Sequence, residues 1–137
     1  MFKHLSNQCI FCLIVQKEKP CFQMYEDDLF FGFLDTHPFN PGNTLLIPKI
    51  HYRWVYDVPQ FGAFFETAKK IGLAIQKATK CHSINFLTLG YQIQHAHIRI
   101  ISRFKNDGHE NGILLYEVKK ISDNKMKELA TSIQMYL

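Results

Sequence analysis

Short apolar blocks separated by polar turns run through most of the chain. An apolar run over residues 9–15 is closed by a polar stretch at 16–20. Two aromatic-rich runs, 22–25 and 29–34, flank the acidic turn Glu26-Asp27-Asp28 and predict a β-hairpin. Residues 36–43 contain Pro38, Pro41 and Gly42 and read as a loop. Residues 44–47 form a short strand that Pro48 stops. From 60 to 79 the apolar side chains Phe61, Phe64, Phe65, Ala68, Ile71, Gly72 and Ile75 recur at helical spacing. That predicts one long amphipathic helix, with Asp57 as its N-cap and Pro59 soon after. Residues 84–89 read as a strand ended by Gly90, and 94–101 as another. A polar loop at 106–111 and a further strand at 114–118 follow. Ser122 or Asp123 then caps a last helix that carries Met126, Leu129, Ala130 and Ile133 on one face. Strands in the middle with helices between and after them predict an α+β fold and a largely antiparallel sheet.

Composition narrows the function classes. With 137 residues, the chain suits one domain, 1–137, and its 47% hydrophobic content supports a packed core rather than disorder. The 12 Phe and 6 Tyr suggest a well-filled core and stacking surfaces. A net charge of +4 is mild, and the basic residues are scattered apart from pairs such as Lys69-Lys70 and Lys119-Lys120. No basic stripe marks a nucleic-acid partner. The first eight residues hold no apolar signal core, and no stretch reaches the ~18 apolar residues of a membrane span. A cytoplasmic location is expected. In that reducing setting Cys9, Cys12, Cys21 and Cys81 read as free thiols or metal ligands rather than disulfides.

The chemistry concentrates in Gln94-His95-Ala96-His97-Ile98-Arg99-Ile100-Ile101. On a strand, His95, His97 and Arg99 share one face, about 6.5–7 Å apart, while Ala96, Ile98 and Ile100 share the other. Stacked cations repel, so such a row is costly for structure alone and useful if it faces an anion. A neutral imidazole can attack phosphorus while a neighbouring cation stabilises the charge that develops. A solvent-facing strand whose polar residues happen to be His and Arg is the plainer alternative. Cys9-x-x-Cys12 offers a second cluster, open to zinc, to buried free thiols or to redox chemistry. His4 and His82 show no partner in the sequence.

The segment resembles the signature of the histidine-triad (HIT) family: His-x-His-x-His, then two apolar residues, with a glycine five residues upstream. His95, His97, Ile100-Ile101 and Gly90 fit it, Arg103 fits the basic residue that follows, and Arg99 replaces the third histidine. The stretch Phe33-Leu34-Asp35-Thr36-His37-Pro38-Phe39-Asn40-Pro41-Gly42-Asn43-Thr44-Leu45-Leu46-Ile47-Pro48-Lys49-Ile50-His51 is similar to the family's other long motif. Cys9-Ile10-Phe11-Cys12 matches its bacterial form. The resemblance implies a HIT-like fold, with a five-stranded antiparallel sheet, one long helix and a C-terminal helix, pairing as a homodimer. It implies a nucleotide ligand and cleavage at the α-phosphate of a nucleotide ester, phosphoramidate or dinucleoside polyphosphate. His97 would be the nucleophile, giving a nucleotidyl-histidine, with His95 and Arg99 beside it. Asp35 matches the ribose-binding position, although an Asp there could simply stabilise the turn. Phe11 and Phe33 match base-pocket positions, although core packing is the ordinary role of Phe. In a subset of the family, residues equivalent to Cys9, Cys12, His51 and His95 bind structural zinc.

Three of the four departures fall around the phosphate site: Arg99, Tyr91 and a short loop, with Asn43 the fourth. Arg99 cannot donate a proton at neutral pH. Gly90-Tyr91 stands where the family has Gly-Gln, which leaves Gln92 or Gln94 as substitutes for the phosphate contact. The loop within residues 86–90 is short, and Asn43 replaces a common histidine. These changes keep a second reading open, that of a catalytically weak or inactive nucleotide-binding or regulatory protein.

Overall fold

The computed structural model describes residues 8–137. The N-terminal residues 1–7, including His4 and most of the segment read for a leader, lie outside the described residues. A short helix α1 (Ile10–Val15) leads into β1 (Gln23–Glu26), β2 (Phe30–Leu34) and β3 (Thr44–Pro48). A single 3-10 turn at Val55–Asp57 precedes the long helix α2 (Phe61–Thr79). Then come β4 (Ser83–Leu87), β5 (Ile98–Arg103) and the C-terminal helix α3 (Asp123–Gln134). The strands form one antiparallel sheet in the order β1-β2-β3-β5-β4. The expected α+β architecture is therefore present.

Local chemistry accounts for the elements. Asp27 Oδ1 accepts the amide hydrogens of Leu29 and Phe30 at 2.8 and 2.7 Å, which fixes the β1–β2 turn. Ser122 caps α3 through the Lys125 amide. Helix α2 ends on Lys80 in the left-handed conformation.

Strand alternation divides the apolar residues between two cores. Phe30, Leu34, Leu46, Ile98 and Ile100 meet α2 and α3 through Phe64, Ile71, Ile75 and Ile133 on one side of the sheet. Phe31, Phe33, Leu45 and Ile47 form the other core beneath Phe11 and Ile14 of α1. Burying each such Phe, Leu or Ile contributes about 1.5–3 kcal/mol. Close approach of α2 to the sheet uses Gly72, where an added Cβ would lie 3.1 Å from Ile84 and 3.5 Å from Ile100. No helix of the described residues is long and apolar enough to cross a membrane.

Several expected elements differ. Residues 114–118 are not a strand but a turn, in which the Leu114 amide donates to His109 Nδ1 and the Glu117 amide to the Leu114 carbonyl. β-Branched and aromatic content suggested extension, but the buried His109 ring takes the backbone hydrogen bond a ladder would need. Asp57 does not cap α2. It belongs to the 3-10 turn, where its carboxylate accepts from the Trp54 amide, and Gln60 stands at the helix start. The strand expected over 84–89 spans Ser83–Leu87, and that expected over 94–101 spans Ile98–Arg103. The regular ladder therefore begins after both histidines.

Candidate functional site

β3 and β5 set the position of the row. Leu45 pairs with Arg99, and Leu46 pairs with Ile98. Although His95 and His97 precede the ladder, the alternation continues through them. Ala96, Ile98 and Ile100 join the helix-side core. The Phe11 ring of the opposite core meets His95 and His97 edge-on, at centroid distances of 5.8 and 5.4 Å. The Ala96 amide donates to the Tyr52 carbonyl at 2.7 Å and fixes the segment. The two histidines are buried, at 0% and 5% exposure, so the row is not a solvent-facing one.

Hydrogen bonding sets each imidazole. The His95 carbonyl lies 2.7 Å from His97 Nδ1 and can only accept, so Nδ1 carries the proton and Nε2 keeps a free lone pair. Burial pushes the His97 pKa down, and the Arg99 charge adds to this. The bond to the His95 carbonyl and the charge of Asp35 oppose it. In the same way the Pro48 carbonyl, 2.9 Å away, fixes the proton of His95 on Nε2. Burial is also the main cause that lowers the His95 pKa to about 4.

His97 and Arg99 open into a cavity of about 500 Å³, whose wall also includes His37, Phe39, Tyr91 and Gln92. The Arg99 guanidinium lies 5.1 Å from the centre of the Phe39 ring. Among the described residues, the buried side-chain polar atoms without a hydrogen-bond partner are Asp35 Oδ2 and Arg99 Nε. Asp35 Oδ1, in contrast, accepts from the His37 amide at 2.9 Å, so the carboxylate both stabilises the turn and presents a second oxygen. A buried polar atom left open is costly unless a ligand or water meets it.

Phe11 and Phe33 are buried and pack edge-to-face with centroids 5.5 Å apart. They serve the core, and Phe11 also walls the histidine row. Sequence reasoning missed the cavity contributions of His37, Phe39, Leu115 and Val118. His37 and Phe39 stood inside the long loop motif, which was the visible signal. Leu115 and Val118 were hidden by the strand reading of their segment.

On the far side of His95 lies the cysteine cluster. His95 Nδ1 is 3.4 Å from Cys9 Sγ and 3.5 Å from Cys12 Sγ, and His51 Nδ1 is 3.2 Å from Cys12 Sγ. All four ligand atoms lie within 4.8 Å of one another. Zinc bonds of about 2.0–2.3 Å at tetrahedral angles separate ligands by about 3.3–3.8 Å, so the donor set fits with little adjustment. The Pro48 bond supports the fit, because it leaves the His95 lone pair on the nitrogen facing the thiols. Cys21 and Cys81 are unpaired by disulfides. The exposed His82 has Ser83 Oγ 3.2 Å from its Nδ1.

A small antiparallel α+β sheet that carries two oriented, buried histidines and a half-buried arginine on one face defines a compact class of domains. The HIT domain matches residues 16–106. An adenylylsulfatase of Arabidopsis thaliana is 40% identical over 110 residues, which cover 75% of this chain but 56% of that protein. The chain thus spans little more than half the length of that relative. A HIT-like protein of Borreliella burgdorferi is 35% identical over 136 residues, 93% of this chain and 96% of that one. The crystal structure of a Hit-like protein from Bartonella henselae matches with a TM-score of 0.81 at 27% identity, over 96% of this chain and 98% of that one. This chain belongs to the HIT family of nucleotide-binding hydrolases and transferases.

Proposed function

We propose that the protein transfers or hydrolyses the nucleotidyl group of a nucleotide ester or anhydride, with His97 as nucleophile. One observation carries this reading: the His97 Nδ1–H bond to the His95 carbonyl, which leaves Nε2 as a lone-pair donor in the cavity shared with Arg99. The Nε2 lone pair forms a bond to the α-phosphorus as the bond to the leaving group breaks, and the electron pair departs with the leaving oxygen. In the second step a water oxygen bonds to phosphorus, the N–P electron pair returns to Nε2, and the water proton passes to solvent. Nucleoside monophosphate is released. Another acceptor in place of water gives transfer.

Arg99 narrows the leaving group. Its guanidinium stabilises negative charge but supplies no proton at neutral pH. Sulfate and phosphate chains depart as anions and need none, whereas an amine does. Asp35 Oδ2 is suited to accept from ribose hydroxyls, Phe11 and Phe33 to back the base, and Gln92 to reach the phosphates. Cys9, Cys12, His51 and His95 would hold zinc in a closed structural site, which would tie α1 to the sheet.

Incubation with adenylylsulfate followed by an alkaline quench, which preserves a P–N bond, tests the reading. An adenylyl mass increment on His97 is expected. Tight nucleotide binding without increment or turnover across sulfate, phosphate and amine leaving groups would instead support a catalytically weak or inactive nucleotide-binding protein.

A further inference from the structure

His109 stands outside the histidine row, in the loop after β5, yet it is buried and both of its ring nitrogens are engaged. The Phe39 carbonyl, 3.1 Å from Nε2, can only accept, so Nε2 donates to it. Nδ1 accepts from the Leu114 amide at 3.1 Å. The ring also meets the Phe39 ring edge-on, with centroids 5.6 Å apart. One side chain thus joins two parts of the His97 cavity wall: Phe39, and the turn that carries Leu115 and Val118. Phe39 is itself buried and pinned at both ends. Its amide donates to Asn43 Oδ1 at 2.8 Å, and its carbonyl also accepts from the Lys119 ammonium at 3.0 Å. Its ring carries the Arg99 guanidinium, 5.1 Å from the ring centre. Arg99 is half-buried, its Nε has no hydrogen-bond partner, and among the described residues no ion pair holds it. A long, rotamer-rich side chain without such bonds takes its direction from the surface it packs on. The Phe39 ring therefore directs Arg99, and His109 holds Phe39.

We propose that His109 is a positioning residue: acting through Phe39, it aims the Arg99 guanidinium at the anionic part of the substrate. The inference rests on the nucleotidyl-transfer reading above and adds to it a residue that lies outside the cavity wall. An imidazole suits the place because one small ring supplies a donor, an acceptor and an edge-on aromatic contact together. The bond to the Phe39 carbonyl is the one that matters for Arg99. The bond from Leu114 serves the turn on the other side of the ring.

A double-mutant cycle with adenylylsulfate as substrate tests this, using the parent, His109→Ala, Arg99→Ala and the two combined. His109→Ala should lower kcat/KM about tenfold in the parent, within the cost of a small misplacement. In the Arg99→Ala background the same substitution should change kcat/KM by less than about twofold, because the group it positions is gone. Equal losses in the two backgrounds would make His109 purely structural and overturn the proposal. Two further variants separate its bonds. Gln can reach the Phe39 carbonyl as Nε2 does, and Asn can meet the Leu114 amide as Nδ1 does. His109→Gln should return kcat/KM to within about twofold of the parent, and His109→Asn should behave as His109→Ala. The reverse order would place the effect in the Leu115–Val118 turn and overturn the route through Phe39. Adenosine, which carries no anion, should bind every variant alike. A parallel loss of adenosine affinity overturns the proposal, because the damage would then lie outside the anion site. If the parent turns over no substrate, the nucleotidyl-transfer reading falls. The same cycle, read by calorimetry as adenylylsulfate affinity, then decides His109 by the same coupled or additive outcomes.

Discussion

The carbonyl oxygen of His95 holds the ring of His97, 2.7 Å from its Nδ1. One backbone atom thereby determines which nitrogen of the next histidine keeps a lone pair. The same residue donates from its own Nε2 to Pro48 and turns Nδ1 toward Cys9 and Cys12. His95 therefore stands between the sulfur cluster and the proposed nucleophile.

Replacing His97 with Gln should abolish covalent labelling and lower kcat at least about 10³-fold, as loss of a nucleophile does, while nucleotide binding persists. Rapid quench with alkaline work-up and equilibrium binding check both halves. Residual labelling in the variant would move the nucleophile elsewhere.

Arg99→His should change preference more than rate. A titratable imidazole in that place can give a proton to an amine leaving group, so phosphoramidate turnover should rise relative to adenylylsulfate turnover. Arg99→Ala should lose the charge-assisted contact, about 1.5–3 kcal/mol, against anionic substrates. Paired kinetics on the two substrates decide this.

Asp35→Ala should weaken binding of a ribonucleotide by about 1.5–3 kcal/mol, the range for hydrogen bonds to a charged group, and should erase the discrimination against a 2′,3′-dideoxy analogue. Titration calorimetry with the two nucleotides measures it. Equal losses for both analogues would confine Asp35 to its turn.

Metal analysis of the purified protein should find about one zinc per chain, and a chelator should lower the melting temperature. Cys12→Ser should lose the metal and, with it, the response to chelator. Absence of zinc from a preparation made without chelators would leave Cys9 and Cys12 as plain thiols.

Asp107 links the loop after β5 to the Pro-Gly loop. It accepts from Arg103 Nε and Asn40 Nδ2, both at 2.9 Å, and from the amides of Phe104 and His109. The Arg103 hydrogen bond is the main reason that its carboxyl is held well below the ordinary carboxylate range. A depressed folded pKa gives stability that is fully present above the unfolded value of about 3.9 and is lost as pH falls through the folded pKa. Asp107→Asn should therefore cost about 1–3 kcal/mol at neutral pH, with the difference from the parent shrinking below about pH 4. Urea melts at pH 7 and pH 3 test the sign.

Much of the fold and the histidine row was legible in the sequence because period-two and period-3.6 patterns are local. The 61–79 helix and the face of α3 follow directly from them. The core face under α1 did not, because α1 is only six residues long and its apolar run has no readable period. Residues 114–118 misled because the Leu114 amide pairs with the His109 ring five residues before it, an acceptor invisible in a pattern of apolar positions. The parity of His95, His97 and Arg99 was readable. The burial of the two histidines was not, since Phe11 from the start of the chain packs against both rings. Tyr91 stands in the pattern only as a missing Gln, because its partner Trp54 is remote in sequence.

The alternation along 95–100 has a further consequence. Ala96, Ile98 and Ile100 fill the helix-side core, and the residues between them carry the proposed chemistry. A slip of this segment by one position against β3 would bury the imidazoles under α2 and expose three apolar side chains where substrate should sit. Specific activity would then serve as a count of correctly aligned molecules, and a refolding yield could be read from turnover without a structural probe.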